Sequence, residues 1–369
     1  MSLSVRIRHR QGAFLLDAAF ESSGRLTALF GPSGSGKTSL INMVGGLVRP
    51  ENGRIEAGGR LLVDTDARIF VPKHRRRIGY VFQDARLFPH MTVAQNLGYG
   101  RFFTPAAERY ADFSGVVDLL GIGHLLSRKP ASLSGGEKQR VAIGRALIAS
   151  PKLILMDEPL ASLDDARKAE IMPYIERLRD ETKIPIVYVS HSVGEVARLA
   201  TDVVVLSAGK VVASGPAAGI LARFDLLPEE QRAEAGAMVD LTVAGQEEEF
   251  GLTVLRSASG EWRLPRIDAP VGAKIRVRVR ARDVMLSLER PAGISALNVL
   301  PGKIAAISAD AGSEALVSLD CGGDRLAARV TRRSVETLGL AVGVQVFAVV
   351  KAVTFDRGTI GNLQHDLKG

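Results

Sequence analysis

The chain has 369 residues, which is too long for one hydrophobic core and predicts two or three domains. With 46% hydrophobic and 24% charged residues it is typical of a globular protein, and no apolar run approaches the ~20 residues that cross a bilayer. A formal net charge of +8 favours anionic partners, such as nucleotides, nucleic acid, a lipid surface or small oxyanions, although a generally basic solvated surface gives the same balance.

The first residues, MSLSVRIRHR, predict no secretory signal, because they are charged and lack an apolar core. The single cysteine, Cys321, excludes an intrachain disulfide framework and fits a reducing cytosol. We therefore expect an intracellular chain.

Residues 1–228 are predicted to form an α/β domain, because short β-rich runs alternate with helical patterns. Compact apolar runs that end in glycine or acidic residues are typical of buried parallel strands, and such strands are predicted at 25–31, 151–159, 183–191 and 202–209. Helices are predicted between them, at 136–150 and 165–182.

The rest of the chain is predicted to be all-β. A polar linker is expected at 226–238, and strand-like alternation with frequent turn signals dominates from Val239 onward. Basic residues at every second position of 273–288 indicate one face of a strand pair. The predicted domains after residue 228 are a linker with a first β segment, a small OB-like β-barrel and a C-terminal tail, at 229–290, 291–357 and 358–369.

The segment GPSGSGKTS, 31–39, matches the phosphate-binding pattern G-x-x-x-x-G-K-[ST] and lies between a predicted strand and a predicted helix. Its glycines let successive backbone N–H groups point at an anion, and the helix N-terminus adds a positive dipole end. Lys37 is expected to reach the β- and γ-phosphates, and Thr38 to ligate Mg²⁺. The complete predicted cradle is Gly31, Pro32, Ser33, Gly34, Ser35, Gly36, Lys37, Thr38 and Ser39.

Two acidic residues and a histidine follow predicted strands and could complete this site. Asp157 ends the strand in LILMDEP, from which a carboxylate can hold Mg²⁺, and Glu158 can act as general base on an attacking water. His191 ends the strand in YVSHS and could hydrogen-bond the γ-phosphate. Alone, an acidic pair at a strand end is more often a turn or cap, and a lone histidine is more often structural.

The stretch LSGGEKQR, 133–140, predicts a helix N-terminus with Ser134 as cap, followed by Gly135 and Gly136. Free N–H groups and a serine hydroxyl at a helix start can bind an anion. The alternative is an ordinary serine-capped helix.

Taken together, these motifs resemble those of the ATPase subunits of ABC transporters over residues 1 to about 225. The resemblance adds two further positions, Gln83 in GYVFQDARLFP and Asp164 at the end of ASLD. It implies an ABC-type nucleotide-binding domain with ATP and Mg²⁺ as cofactors. Gln83 would then contact Mg²⁺ and sense the γ-phosphate, and His191 would act as the switch histidine.

The resemblance also implies a partner copy. In that family the LSGG segment of one subunit covers the γ-phosphate held by the phosphate loop of a second, in a head-to-tail dimer with two ATP molecules between the copies. An aromatic residue usually stacks on adenine. Phe14 is the preferred candidate and Phe20 the other, with core packing as the alternative role for both.

Relatives of these ATPases also act on nucleic acid. The interval between Gln83 and Ser134 is too short for the long coiled coils of chromosome-organising relatives, and the chain has one phosphate loop and no cysteine cluster. The segment 85–100 resembles importer subunits, where it receives a helix of a membrane permease. The predicted partners are therefore a permease and, indirectly, a periplasmic or extracellular substrate-binding protein, at the cytoplasmic face of the inner membrane and without nucleic acid.

The sequence around Gln83 and the segment LSGGEKQRVAIGRAL look most like those of molybdate importer ATPases, whose transporters would also take tungstate. Importers of sulfate, iron, sugars and polyamines share the ATPase motifs and remain the alternative. The segments 293–307 and 330–355 are similar to the small molybdate-binding barrel, which implies oxyanion-site candidates at Ser295, Ala296, Asn298, Lys303, Ser334 and Lys351. Leu297 stands where the binding modules usually have arginine, and a barrel that only regulates or dimerises is the alternative.

Overall fold

A computed structural model describes residues 3–221, 236–309, 313–352, 355 and 360–363. The chain divides into two compact units, Met1–Ile220 and Leu221–Gly369. Most of the predicted linker at 226–238, and the predicted C-terminal tail apart from Ile360–Leu363, lie outside the described residues. Within those ranges, no helix is long and apolar enough to cross a membrane.

The first unit is built on one sheet of eleven strands in the order β6-β5-β4-β1-β2-β11-β10-β3-β9-β8-β7. The strands are β1 Leu3–Gln11, β2 Phe14–Ser22, β3 Leu26–Phe30, β4 Asn52–Ala57, β5 Arg60–Asp64, β6 Ile69–Phe70, β7 Ile78–Val81, β8 Leu153–Asp157, β9 Ile186–Ser190, β10 Asp202–Ser207 and β11 Lys210–Pro216. Strands β10, β3, β9, β8 and β7 run parallel to one another, so their carboxyl ends share one edge of the sheet.

Helices pack against this sheet or against one another. They are α1 Lys37–Gly45, α2 Val93–Phe102, α3 Phe113–Leu120, α4 Gly135–Ile148, α5 Asp165–Glu181, α6 Val193–Leu199 and α7 Ala217–Leu221. Helix α1 contacts β8 and β9, and α6 contacts β3 and β9. All residues of β3 and β9 are buried, as continuous apolar runs predict for parallel strands covered by helices. The predicted strands and helices of this unit are thus confirmed, with ends that differ by at most three residues.

The second unit contains two five-stranded sheets, in the orders β14-β13-β12-β15-β21 and β16-β20-β17-β18-β19. Its strands are β12 Gly236–Glu247, β13 Leu252–Ser257, β14 Gly260–Pro265, β15 Lys274–Arg280, β16 Val284–Ser287, β17 Asn298–Ala309, β18 Glu314–Cys321, β19 Asp324–Thr331, β20 Gln345–Val350 and β21 Ile360–Leu363; its helix α8 is Arg332–Thr337. One hydrophobic core, which includes Trp262, Val277, Leu319 and Val346, joins the segments 229–290 and 291–357. The all-β expectation is confirmed.

The strand pair expected over 273–288 does not form. Strand β15 pairs with β12 and β21, whereas β16 pairs with β20 in the other sheet. A short 3-10 turn at Ala281–Asp283 separates the two strands. Alternating basic residues showed that the segment is extended, but alternation carries no information about which strand is the neighbour.

Candidate functional site

The phosphate loop joins β3 to α1, and two of its glycines cannot be replaced without collision. Gly31 has φ 151°, and a Cβ there would lie 2.1 Å from the carbonyl oxygen of Leu206. Gly36 caps α1 with φ 102°, and a Cβ there would lie 2.9 Å from Leu16 and 3.2 Å from the Phe14 ring. The loop therefore packs closely on neighbouring strands, which only glycine permits.

Lys37, the first residue of α1, is 4% exposed and folds back over the loop. Its Nζ donates to the carbonyl oxygens of Gly31 and Pro32, each at 2.8 Å. Burial lowers the pKa of Lys37, and the charges of Glu158 and Asp157 act in the opposite direction. A phosphate in the loop would give this ammonium a charged partner in place of two neutral carbonyls.

Asp157 ends β8 beside the start of α1. Its Oδ1 accepts a hydrogen bond of 3.2 Å from Thr38 Oγ1. Burial raises the pKa of Asp157, and the Thr38 hydrogen bond partly offsets this. One hydroxyl and one carboxylate fit Mg²⁺, which keeps several waters and takes phosphate oxygens as its other ligands. The described residues contain no group of three or more His, Cys, Asp or Glu that would suit an all-protein metal cage.

Glu158 follows Asp157 in an unusual backbone conformation, with φ 44°. Its N–H donates to Val189 O at 3.1 Å, which ties the residue to the end of β9. His191 follows β9, and its Nδ1 lies 3.3 Å from Glu158 Oε2. The parallel strands thus bring both residues to the edge that holds the phosphate loop.

A cleft of about 400 Å³ opens over the loop. It is lined by Gln11, Phe14, Ser33, Gly34, Gly36, Lys37, Thr38, Ser39 and Glu158. The half-buried Phe14 therefore faces the cradle, whereas Phe20 is 6% exposed and belongs to the hydrophobic core. A larger, apolar cavity of about 690 Å³ lies at the amino-terminal ends of β7 and β8, away from these residues.

Gln11 was missed at the sequence level. It ends β1, lies next to the β1–β2 turn and contacts Ser39, whose Oγ is 3.5 Å from Gln11 Oε1. Its position three residues before Phe14, across a turn that contains Gly12, is the sequence signal that could have placed it at the cleft.

The other predicted nucleotide-site residues do not reach this cleft. Within the described part of the chain its lining includes none of Gln83, Ser134, Gly135, Gly136 and Asp164. Gln83 lies exposed beyond the end of β7, Ser134 caps α4, and Asp164 caps α5. One chain therefore assembles the phosphate loop, Asp157, Glu158 and His191, and leaves the LSGG segment apart.

The structure brings the tail candidates together only in part: Asn298 pairs with Val350, so Lys351 lies near the start of β17, whereas Lys303 and Ser334 lie elsewhere. Asn298 is fully buried and bonded to the Arg263 backbone, accepting from its N–H at 2.7 Å and donating to its carbonyl at 3.1 Å. Lys303 is exposed on β17, five residues from Asn298 and so about 17 Å away along the strand and on its opposite face. Thr331 caps α8 by accepting the Ser334 N–H, Lys351 follows β20, and Ser295 and Ala296 precede β17.

Five parallel strands bring a phosphate loop, an Asp-Glu pair and a histidine to one edge of the sheet, and a separate helix begins in LSGG. This combination is that of a P-loop ATPase of the ATP-binding cassette class. Residues 20–161 match the family model described as ABC transporter, and residues 294–354 match the TOBE domain. A nucleotide-free ATP-binding cassette from an ABC transporter matches with a TM-score of 0.50 and 26% identity, over 58% of this chain and 92% of that one.

Two curated relatives match over almost their full length, and both are named molybdenum import ATP-binding protein ModC. The protein of Mesorhizobium japonicum is 67% identical over 98% of this chain and 98% of its own length. That of Rhizobium etli is 55% identical over 96% of this chain and 100% of its own length. The chain therefore belongs to the ModC family of ABC transporter ATPases, and ATP binding follows from that membership.

Proposed function

We propose that this chain is the ATP-hydrolysing subunit of an importer that carries molybdate, and also tungstate, across the cytoplasmic membrane. The observation that supports the ATPase most directly is the meeting of Lys37, Thr38, Asp157, Glu158 and His191 at one edge of the sheet. The support for molybdate is full-length similarity to proteins named for molybdenum import.

The proposed chemistry is in-line attack of water on the γ-phosphorus of ATP, in which the bond to the β–γ bridging oxygen breaks and ADP leaves. Lys37 leaves the loop carbonyls to hold the β- and γ-phosphates, together with the backbone N–H groups of the loop. Thr38 and Asp157 would hold Mg²⁺, which offsets charge on the phosphate oxygens when bound. Glu158 accepts a proton from the water, and His191, in contact with Glu158, orients the γ-phosphate.

A second copy of the chain would complete the site. Ser134 Oγ accepts the Glu137 N–H, so its own O–H is free to donate to a phosphate that arrives from outside the chain. Gly135 and Gly136 leave the start of α4 without bulky side chains, and Asp164 would lie at the same junction between copies. A head-to-tail dimer with two-fold symmetry brings this segment over the cleft of its partner.

The proposed permease contact lies beside Gln83. A groove of about 360 Å³ there is lined by residues that include Tyr80, Phe82, Phe88, Tyr99 and Arg145. Aromatic faces with a polar rim suit an amphipathic helix of a membrane partner. We place the working subunit at the cytoplasmic face of the inner membrane, with the substrate-binding protein acting on the permease from the other side.

The experiment that tests the whole function is uptake by the transporter reconstituted in vesicles with its permease. With ATP supplied to the ATPase subunits, labelled molybdate should be taken up by the vesicles. Unlabelled tungstate should inhibit this uptake strongly, and unlabelled sulfate only weakly. A Glu158→Gln chain serves as the control without hydrolysis. Equal uptake of sulfate would reassign the cargo, and copurification of the chain with nuclease-sensitive material instead of a permease would contradict transport.

A further inference from the structure

Glu195, in the first turn of α6, is a buried carboxylate to which the proposed chemistry gives no role. It is 6% exposed, and its Oε2 accepts hydrogen bonds from Tyr188 Oη at 2.9 Å and Ser190 Oγ at 2.8 Å. Its Oε1 lies 3.3 Å from Lys168 Nζ on α5. Three donors from three positions in the fold therefore converge on one carboxylate.

These bonds fix the backbone on both sides of His191. Ser190 Oγ donates to Glu195 and also accepts the Ser192 N–H at 3.0 Å. Ser192 in turn caps α6 by accepting the Glu195 N–H at 3.4 Å. His191 is the residue between these two serines, and its ring contacts Glu158. The position of Glu195 therefore sets where His191 can lie.

The other end of the network reaches the start of α5. Lys168 lies one turn into this helix, and its N–H donates to the carbonyl of Asp164, which caps the helix. Any shift of the segment that ends at Asp164 moves Lys168 and, through the ion pair, Glu195. Burial and the charge of Glu195 raise the pKa of Tyr188, so its hydroxyl keeps the proton that it donates to Glu195.

We propose that Glu195 is a positioning residue for His191, and that the Lys168–Glu195 ion pair couples the start of α5 to this histidine. In the dimer proposed above, Asp164 lies where the copies meet. The Lys168–Glu195 ion pair would therefore make the position of His191 depend on the partner copy. The inference rests on the proposed function, in which His191 acts on the γ-phosphate.

The chain offers a matched control in a second buried ion pair between the same two helices. Arg198 Nε on α6 lies 2.8 Å from Glu176 Oε1 on α5, and Glu176 is 7% exposed. This pair holds α5 and α6 together and includes none of the hydrogen bonds described above around His191. Loss of charge there should affect stability alone.

The test compares Glu195→Gln and Lys168→Met with Glu176→Gln in steady-state ATPase assays. The Glu195→Gln change would keep the side-chain volume and an oxygen for Tyr188 and Ser190, but it would remove the attraction to Lys168. We expect kcat to fall about tenfold or more in both variants, with KM for ATP changed less than about twofold, because misplacement of His191 affects the transition state and not ATP binding. Glu176→Gln should lower Tm and leave kcat within about twofold.

The decisive step repeats Glu195→Gln in a His191→Ala chain. If Glu195 acts through His191, Glu195→Gln should lower kcat of the His191→Ala chain by less than about twofold. An additive loss, or an equal fall of kcat in Glu176→Gln, would show that Glu195 only stabilises the fold and would overturn the inference. A wild-type chain without ATPase activity would overturn the proposed function, and this inference with it.

Discussion

The carboxylate of Asp157, which the proposed function requires, lowers the stability of the folded, nucleotide-free chain. Its carboxylate is partly desolvated at the end of β8, and burial raises its pKa above the ordinary value of 3.8. At neutral pH the ionised form is therefore less favourable in the folded chain than in the unfolded chain. Mg²⁺ and nucleotide would relieve this cost only when bound, which is typical of a site built to receive a cation.

Asp157→Asn is expected to raise Tm of the nucleotide-free protein by about 2 °C at neutral pH, because the amide keeps an oxygen for Thr38 and removes the buried charge. Since the folded pKa is raised, the gain should shrink as pH falls toward it. The same variant should lose Mg²⁺-dependent ATPase activity by about 100-fold. Thermal melts at several pH values measure the gain in Tm and its pH dependence, and Asp118→Asn, at an exposed position, is the control. A lower Tm of Asp157→Asn at neutral pH would contradict the prediction.

The start of α4 uses one serine both as a helix cap and, in the proposed dimer, as a phosphate ligand. Ser134 Oγ accepts the Glu137 N–H at 3.2 Å, and the Ser134 N–H donates to Glu137 Oε2 at 2.7 Å. This capping box lowers the pKa of Glu137, chiefly through the hydrogen bond from the Ser134 backbone. An ordinary helix cap and a phosphate receptor are therefore compatible interpretations of LSGG, because the cap uses the oxygen and leaves the hydroxyl proton.

Substitutions at Ser134 should separate the two tasks. In a Glu158→Gln chain, which is expected to accumulate an ATP-bound dimer, Ser134→Asp should keep the cap and abolish the dimer, because it points a carboxylate at the partner's γ-phosphate. Ser134→Ala should cost about 1 kcal/mol of stability as well. Size-exclusion chromatography with ATP measures the dimer, and Asp112→Ala at the cap of α3 is the control for lost stability alone. Normal dimerisation of Ser134→Asp would exclude this contact.

The sequence predicted the strands and helices that hydrophobic periodicity specifies. It did not predict which strands pair with each other or which polar groups are hydrogen-bonded to each other. The apolar runs of β3, β8 and β9 and the glycine loop could be read directly, because burial on both faces leaves few alternatives. Asn298 was predicted to be an oxyanion ligand; in the structure its buried amide is hydrogen-bonded to the Arg263 backbone, which residue type alone did not indicate. Residue type gives donor chemistry, and only the fold shows which donors are already used.

The two units carry separate spectroscopic reporters. The residues that line the ATP cleft all belong to the first unit, as do helices α1 to α6. The chain's single tryptophan, Trp262, is fully buried in the core of the second unit, where its Nε1 donates to Ser257 Oγ at 3.0 Å. Helical circular dichroism therefore follows the first unit, and tryptophan fluorescence follows the second.

These reporters test where each ligand binds. MgATP at about 100 times its Kd should stabilise the unit that holds the cleft by about 2.7 kcal/mol and raise the midpoint seen by circular dichroism. The Trp262 midpoint should stay within about 1 °C, because a ligand shifts only the transition of the unit it binds. If the tail holds an oxyanion, molybdate without nucleotide should raise the Trp262 midpoint and leave the circular dichroism midpoint unchanged. Sulfate is the control anion. Equal shifts of both midpoints with ATP would show that the two units unfold as one body, and a Trp262 midpoint unmoved by molybdate would remove the tail as its binding site.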